Sequence, residues 1–149
     1  MLEEKIMSDY KEAVKAKDSI RSSILSFLRS QFKYLAIEKR KDTLDDDEVI
    51  SIIKKEIKKH QDSIEQFAKG NRQDLVDKET KELQILNTYL PKQLSGEEVK
   101  KIVEEAVKAT AAQGPKDMGK VMKEVIAKIG QSADGKLVSD LVKARLTGS

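Results

Sequence analysis

Residues 44–70, LDDDEVISIIKKEIKKHQDSIEQFAKG, contain the signals that begin, extend and end one long helix. Asp45 can cap its start and Glu48 follows three residues later, while the leucine before the cap and Val49 occupy the two positions of a hydrophobic staple. Gly70 suits a left-handed residue at the helix end. The apolar face between these ends repeats at helical spacing through Ile53, Ile57, Ile64 and Phe67. The stretch therefore predicts an amphipathic helix.

Apolar residues three and four apart continue along almost all of the 149-residue chain, and the alternation typical of strands is absent. Asp18 can cap a second helix, and Ser95 begins a capping box that a glutamate three residues later completes. Pro91 cannot continue the helix before it. The sequence predicts an all-α fold, with a bundle of long helices over residues 1–91 and a small three-helix C-terminal domain over residues 92–149. We also expect three aromatic residues in the core: Phe27, Phe32 and Phe67.

The charge balance is close to neutral, because 29 lysine and arginine residues against 26 aspartate and glutamate residues leave a net charge of +3. A pI of 8.9 is only a weak indication of nucleic-acid binding, since scattered lysines reach that value without forming a patch. On the third helix, Glu56 stands among several lysines, which we interpret as a solvated face: Lys54, Lys55, Lys58 and Lys59.

No residue pattern nominates a catalytic or metal centre. The chain has no cysteine, which excludes disulfides, thiolate zinc sites and a cysteine nucleophile. The lone histidine, His60, argues against a histidine-based metal cluster or catalytic triad, and we interpret it as a boundary residue beside the apolar stripe. The P-loop pattern is also absent. We therefore expect no metal, no cofactor and no catalysis by this chain alone.

The chain begins Met1-Leu2-Glu3-Glu4 and has no long apolar run. Neither a signal peptide nor a membrane span is predicted from this pattern. The expectation is a soluble cytoplasmic protein that does not contact membranes.

Residues 116–138, KDMGKVMKEVIAKIGQSADGKLV, place Gly119 and Gly135 at the starts of the sixth and seventh helices. Glycine in a helix costs roughly 1 kcal/mol relative to alanine. One interpretation is that the glycines let two helices approach closely. The other is that phosphates bind at the helix N-termini, where N–H groups and lysines favour anions. The lysines in question are predicted to lie opposite the apolar face of the sixth helix, or at the start of the seventh: Lys116, Lys120, Lys123 and Lys136.

Five segments stand in a specific order along nearly the whole chain: LRSQFKYLAIEKRK, LDDDEVISIIKKEIKKHQDSIEQFAKGNRQDLVDKE, YLPKQLS, KDMGKVM and ADGKLVSDLVKARL. Together they resemble the GatB/YqeY family, and in particular the stand-alone YqeY-like proteins of bacteria. The resemblance implies an all-helical fold in two parts. It also implies that the C-terminal part is similar to the tail domain of the B subunit of glutamine-dependent tRNA amidotransferases.

Those enzymes convert Glu-tRNA(Gln) or Asp-tRNA(Asn) to the amide form, and their tail domain helps hold the tRNA. The resemblance therefore implies partners, namely tRNA or another RNA and amidotransferase subunits. The resemblance carries over residues 116–122 and 133–136, and the predicted lysine face of the sixth helix adds Lys123. The hypothetical RNA-binding residues are Lys116, Gly119, Lys120, Lys123, Gly135 and Lys136.

Descriptions of the family also attach carbon–nitrogen ligase activity with glutamine as the amido-N-donor. In those enzymes, amide hydrolysis and ATP-dependent activation belong to other subunits or domains. We therefore expect an RNA-binding accessory module associated with that chemistry and not catalytic by itself. Two alternatives stay open, a protein-interaction or assembly factor that binds no RNA and a genuine amidotransferase component.

Overall fold

The computed structural model describes residues 1–148, and the regular structure of these residues is entirely helical. Seven α-helices follow one another, and a 3-10 turn at Pro115–Asp117 precedes the sixth. Their bounds are α1 Leu2–Lys15, α2 Ser19–Glu38, α3 Asp46–Lys69, α4 Gln73–Asn87, α5 Gly96–Thr110, α6 Met118–Ile129 and α7 Gly135–Thr147. The predicted all-α fold class is confirmed.

Side-chain caps begin four of the helices. In α2, α3 and α5 the capping oxygen accepts a hydrogen bond from the backbone N–H three residues later, and the distances are 3.1, 2.8 and 3.2 Å respectively. In α7 the donor is the N–H two residues later, at 3.0 Å. The capping residues are Asp18, Asp45, Ser95 and Asp134. Ser95 and Glu98 form the predicted capping box, and the staple residues Leu44 and Val49 are both buried. Each such cap contributes about 1 kcal/mol to stability.

The helix ends differ from the prediction. Gly70 has a φ of −86°, and the left-handed residue that ends α3 is Asn71, with a φ of 55°. The N–H of Asn71 bonds the carbonyl of Ala68 at 3.2 Å, and the N–H of Arg72 bonds that of Phe67 at 2.9 Å. This pair of bonds is the Schellman motif, and asparagine tolerates its left-handed position better than most side chains.

Contacts between helices divide the chain into two units, the first covering Met1–Leu90. In this unit α3 contacts each of α1, α2 and α4. Its largest fully buried side chains come from all four helices: Ile6, Leu25, Leu28, Ile53 and Leu86. The first unit therefore has a hydrophobic core of its own.

Only one of the three phenylalanines expected in the core is buried. Phe32 is 2% exposed, but Phe67 is half-buried and Phe27 is 41% exposed. Phe27 lies about 100° around α2 from its buried neighbour Leu28, because each residue of a helix advances by that angle. The expectation that Phe27 belongs to the core is therefore wrong.

The second unit begins at Pro91 and contains α5, α6 and α7, each of which contacts the other two. Its buried side chains are mainly valines: Val99, Val103, Val107, Val121, Val125, Val138 and Val142. Two large apolar residues of this unit lie at its surface: Ile126 is 53% exposed and Leu137 is 38% exposed. Ile126 immediately follows the fully buried Val125, so it is turned about 100° away from the core.

Independent folding of the two predicted domains stays a prediction. We expect residues 1–90 and residues 91–149, expressed separately, each to show a helical circular dichroism spectrum and a cooperative thermal transition, because each unit has its own apolar core. The C-terminal piece should melt at the lower temperature, since a small domain buries a smaller fraction of its surface. A C-terminal piece that is unfolded alone, and that folds only when residues 1–90 are attached, would contradict the division.

Glu48 forms an ionic contact between the loop after α2 and the start of α3. Its Oε2 lies 3.1 Å from Nζ of Lys39, and its Oε1 accepts a hydrogen bond from Lys41. The hydrogen bond from Lys41, assisted by Lys39, lowers the pKa of Glu48 from 4.5 to about 2. A carboxyl group with a lowered pKa stabilises the fold above its unfolded pKa, and this contribution is lost as the pH falls through the folded pKa.

We expect Glu48→Gln to lower the free energy of unfolding above pH 4.5. The difference in this free energy between the variant and the unchanged protein should shrink as the pH falls towards 2. Urea unfolding of both proteins across this range measures the difference. The matched control is Glu65→Gln, because Glu65 pairs with Lys69 on the exposed side of α3. Such surface pairs contribute little to stability, so the free energy of unfolding of Glu65→Gln should stay close to that of the unchanged protein at every pH. A Glu48→Gln difference that does not change with pH would contradict the prediction.

Candidate functional site

The four predicted lysines of the C-terminal unit are all exposed, and we call them the C-terminal lysine surface: Lys116, Lys120, Lys123 and Lys136. Lys116 is in the 3-10 turn and not in the sixth helix as predicted, because that helix begins only at Met118. Lys120 and Lys123 are on α6, and Lys136 is the second residue of α7. The 3-10 turn, α6 and α7 contact one another, so neighbouring elements carry all four lysines.

Acidic groups neutralise this surface only weakly. Asp117 lies 4.0 Å from Nζ of Lys120, whose side chain is 73% exposed, and an exposed ion pair of this kind contributes little. The other oxygen of Asp117 accepts the N–H of Gln113 at 2.9 Å, so this side chain does not cap α6. Within residues 1–148, the other three lysines of the surface form no ion pair.

Gly119 and Gly135 are both exposed, and a Cβ atom added to either would meet no atom within 4 Å. Neither glycine has a positive φ. The interpretation that they permit close packing of two helices is therefore wrong. Both glycines leave open space beside the backbone near the starts of α6 and α7, although the carboxylate of Asp134 accepts the N–H of Lys136 at the start of α7.

We expect Gly119→Ala to leave the stability unchanged or to raise it by up to about 1 kcal/mol, because alanine is the better helix former and has open space here. The matched control is Gly130→Ala, which also meets open space but has a φ of 57°. That variant should lose about 1–3 kcal/mol through backbone strain, because the ψ of −124° at this position lies outside the left-handed helical region that other residues can adopt. Thermal unfolding measures the stability of both variants. A loss of about 1–3 kcal/mol of stability in Gly119→Ala would restore the close-packing interpretation.

A second cluster of polar side chains lies between α3 and α4, and the sequence did not reveal it. His60 is 8% exposed, so its interpretation as a boundary residue is wrong. Its Nδ1 lies 2.9 Å from the carbonyl oxygen of Glu56. Its Nε2 lies 2.8 Å from Oε2 of Glu82 and 3.5 Å from Oε2 of Glu79. We call His60, Glu79 and Glu82 the histidine cluster; they line a cleft of about 340 Å³ together with Ser23, Ser63 and Lys59.

Glu56 does not belong to a solvated face, as the lysines around it suggested. It is 5% exposed, and Nζ of Lys59 lies 3.1 Å from its Oε1. Glu56 follows the buried Ile53 by three residues, so helical spacing places it on the same inner face of α3. The polar part of this inner face therefore consists of Glu56 and His60.

The charge state of His60 follows from its neighbours. Burial lowers the pKa of His60, but the carbonyl of Glu56 and the carboxylates of Glu82 and Glu79 outweigh burial and raise it above 6.5. A carbonyl oxygen only accepts hydrogen bonds, so Nδ1 carries a hydrogen. Nε2 then faces two carboxylates, which also only accept. The raised pKa of His60 favours a second proton on Nε2, which then donates to Oε2 of Glu82.

Helix geometry explains how these residues meet. α3 and α4 run antiparallel on either side of the turn at Asn71, and residues equally far from the turn in sequence lie opposite each other. His60 and Glu82 both stand eleven residues from Asn71. Glu79 and Glu82 are three residues apart and share one face of α4. Counting outward from the turn would have revealed the cluster from sequence, once the hairpin was recognised.

A family model described as Yqey-like protein matches residues 3–146, which include parts of both units and both candidate sites. The chain belongs to the YqeY-like family. The part of the expected resemblance that concerns YqeY-like proteins is confirmed.

Curated relatives of this YqeY-like protein come from fungi. The chain is similar to "Altered inheritance of mitochondria protein 41, mitochondrial" of Lachancea thermotolerans, with 36% identity over 85 residues that cover 57% of this chain and 46% of the relative. The protein of the same name from Kluyveromyces lactis is 34% identical over 84 residues, or 56% of this chain and 45% of the relative. The protein of that name from Pyrenophora tritici-repentis is 28% identical over 147 residues, which cover 93% of this chain and 77% of the relative. The chain spans about half the length of the first two.

These names correct the expected cytoplasmic location, because the relatives are named as mitochondrial proteins. Within the described residues, no helix combines the length and the apolar character needed to cross a bilayer. The cytoplasmic expectation rested on the lack of a predicted signal peptide and membrane span, and neither determines the compartment.

Proposed function

We propose that this YqeY-like protein is an accessory module that binds the phosphate backbone of tRNA or another structured RNA on its C-terminal lysine surface. The observation that carries the proposal is the pairing of four exposed lysines with two exposed glycines that have open space around them, near the starts of α6 and α7. Helix N-termini and lysines both favour anions, and glycine allows a phosphate to approach the backbone closely.

The distribution of charge supports this assignment. Residues 1–90 contain eighteen basic and eighteen acidic residues, whereas residues 91–149 contain eleven basic and eight acidic ones. The whole net charge of +3 therefore belongs to the C-terminal unit. A local excess of positive charge attracts polyanions and speeds their association.

The chemistry of the surface determines how RNA would be recognised. Residues 91–149 contain no phenylalanine, tyrosine or tryptophan, so no aromatic side chain is present to stack on unpaired bases. Their only arginine, Arg145, contacts Glu104. Lysine is a point charge that positions a backbone without reading its sequence. The protein would therefore hold RNA by its shape and phosphates, as an accessory module requires.

The association with amidotransferases rests on the resemblance of the C-terminal unit to the tail domain of the amidotransferase B subunit. Under this proposal the YqeY-like protein presents RNA to such an enzyme, and the enzyme supplies glutamine hydrolysis and ATP-dependent activation. Glutamine-dependent amide formation by the purified chain alone would favour the alternative of a genuine amidotransferase component.

One observation favours the other alternative, a protein-interaction factor. Tyr34 and Ile37 on α2 are 74% and 67% exposed, and Phe27 is exposed on the same helix. Helical spacing places the three residues within about 80° of one another around α2, and a contiguous exposed apolar patch is typical of surfaces that bind proteins. This surface is in the first unit, so RNA binding by the C-terminal unit and protein binding by α2 can be tested separately.

We expect the double variant Lys120→Ala with Lys136→Ala to weaken tRNA binding. The slope of log affinity against log salt concentration should fall in magnitude by roughly one to two units, because each lost phosphate contact removes somewhat less than one unit of slope. Helicity and thermal stability should be preserved, since both side chains are exposed. Binding measured by fluorescence anisotropy over a series of salt concentrations provides the affinities.

The matched control is Lys101→Ala with Lys108→Ala, which removes the same charge from exposed positions of α5. This control should bind tRNA more tightly than the variant of Lys120 and Lys136, and its salt slope should be close to that of the unchanged protein. An equal loss of tRNA affinity in both double variants would indicate that RNA is attracted by net charge and not by the C-terminal lysine surface. Undetectable tRNA binding at low salt, or unchanged binding in the variant of Lys120 and Lys136, would contradict the proposal.

A further inference from the structure

We propose that the cleft between α3 and α4 is a binding site for a divalent transition-metal cation of the zinc class, with Nε2 of His60 and one carboxylate oxygen each of Glu79 and Glu82 as ligands. This site is in the first unit and does not depend on RNA binding by the second. The proposal rests on the convergence of ligand atoms, the fixed orientation of the imidazole, the charge of the cleft and the space around Nε2.

The ligand atoms are close enough to share one ion. One atom from each of the three residues lies within 4.8 Å of the others. Ligands bonded to zinc at roughly 2.0–2.2 Å stand about 3.3–3.6 Å apart in a tetrahedron. The separation of 3.5 Å between His60 and Glu79 already has this value. The separation of 2.8 Å between Nε2 of His60 and Oε2 of Glu82 is that of a hydrogen bond, so binding of the metal requires it to widen by about 0.5–0.8 Å.

The imidazole is held in the orientation that a metal site requires. Nδ1 of His60 donates its hydrogen to the carbonyl of Glu56, one turn earlier on α3. In metal sites the second nitrogen of a ligating histidine commonly makes such a bond, which fixes the tautomer and directs the free nitrogen at the ion. His60 is more than nine-tenths buried, so its ring has little freedom to turn away.

The charged side chains that line the cleft favour the binding of a cation. Glu56, Glu79 and Glu82 are acidic, and Lys59, which contacts Glu56, is the cleft's one lysine. With the imidazole neutral, the cleft has an excess of two negative charges. A proton on Nε2 balances one of these charges, whereas a divalent cation balances both.

The ligand set selects the class of metal. Ca²⁺ and Mg²⁺ prefer oxygen ligands alone, and the imidazole nitrogen favours first-row transition metals such as Zn²⁺. The chain has no cysteine, so soft thiolate ligation is excluded. Three protein ligands leave a fourth position, and the cleft of about 340 Å³ has room there for water or a small anion.

The test is a titration of the full chain with Zn²⁺ after treatment with a chelator, followed by calorimetry and by proton NMR of the imidazole. His60 is the only histidine, so its ring signals are assigned without ambiguity. We expect one Zn²⁺ per chain, a shift of the His60 signals on binding, and no displacement by Mg²⁺ or Ca²⁺. We further expect Glu79→Gln and Glu82→Gln each to weaken binding about tenfold or more.

The matched control is Glu65→Gln, which removes one carboxylate from the exposed side of α3 and should bind Zn²⁺ like the unchanged protein. The glutamine variants keep the size of the side chain, and circular dichroism verifies that they are folded. The proposal is overturned if binding is not saturable, or if Zn²⁺ leaves the His60 signals unchanged. It is also overturned if either glutamine variant at 79 or 82 binds as tightly as the control.

Discussion

The first unit depends on the burial of one face of α3. Val49, Ile53 and Ile57 form this face, and each of the other three helices of the unit contacts α3. The same face continues into Glu56 and His60, so the spacing that buries the isoleucines also buries two polar side chains. A buried polar group without a partner costs a few kcal/mol, and a charged one costs more. Lys59 and the two glutamates of α4 supply those partners, so the histidine cluster is a consequence of how the core is built.

The second unit follows a different arrangement. Its core consists largely of small valines, which bury little surface per residue, and its surface carries the whole net positive charge of the chain. The first unit is neutral in formal charge and holds the acidic cleft. The two candidate sites therefore suit opposite kinds of ligand, a polyanion on the second unit and a cation on the first. The residues of each candidate site all belong to one unit.

Local signals made part of this structure predictable from sequence. The starts of α2, α3 and α5 agree with prediction because a cap involves only residues three apart. The end of α3 was misplaced by one residue, because Asn71 occupies the left-handed position next to an available glycine. The exposure of Phe27 and the burial of His60 depend on which side of a helix meets its neighbours, and composition does not contain that information. His60 and Glu82 are 22 residues apart, so only the register of the α3–α4 hairpin brings them together.

The placement of glycine bears on the function of the second unit. At four helix ends a residue other than glycine adopts a left-handed conformation, with φ values between 52° and 57°: Lys17, Arg40, Asn71 and Ala111. Glycine would relieve roughly 1 kcal/mol of strain at such positions. Gly119 and Gly135, in contrast, stand at helix starts where neither φ nor packing requires glycine, and where alanine would favour the helix. Glycine does occupy two other helix ends with positive φ, Gly130 at 57° and Gly148 at 74°, where the backbone conformation explains it. No such backbone reason applies to Gly119 and Gly135. The proposed contact with a phosphate would account for glycine at these two positions beside exposed lysines.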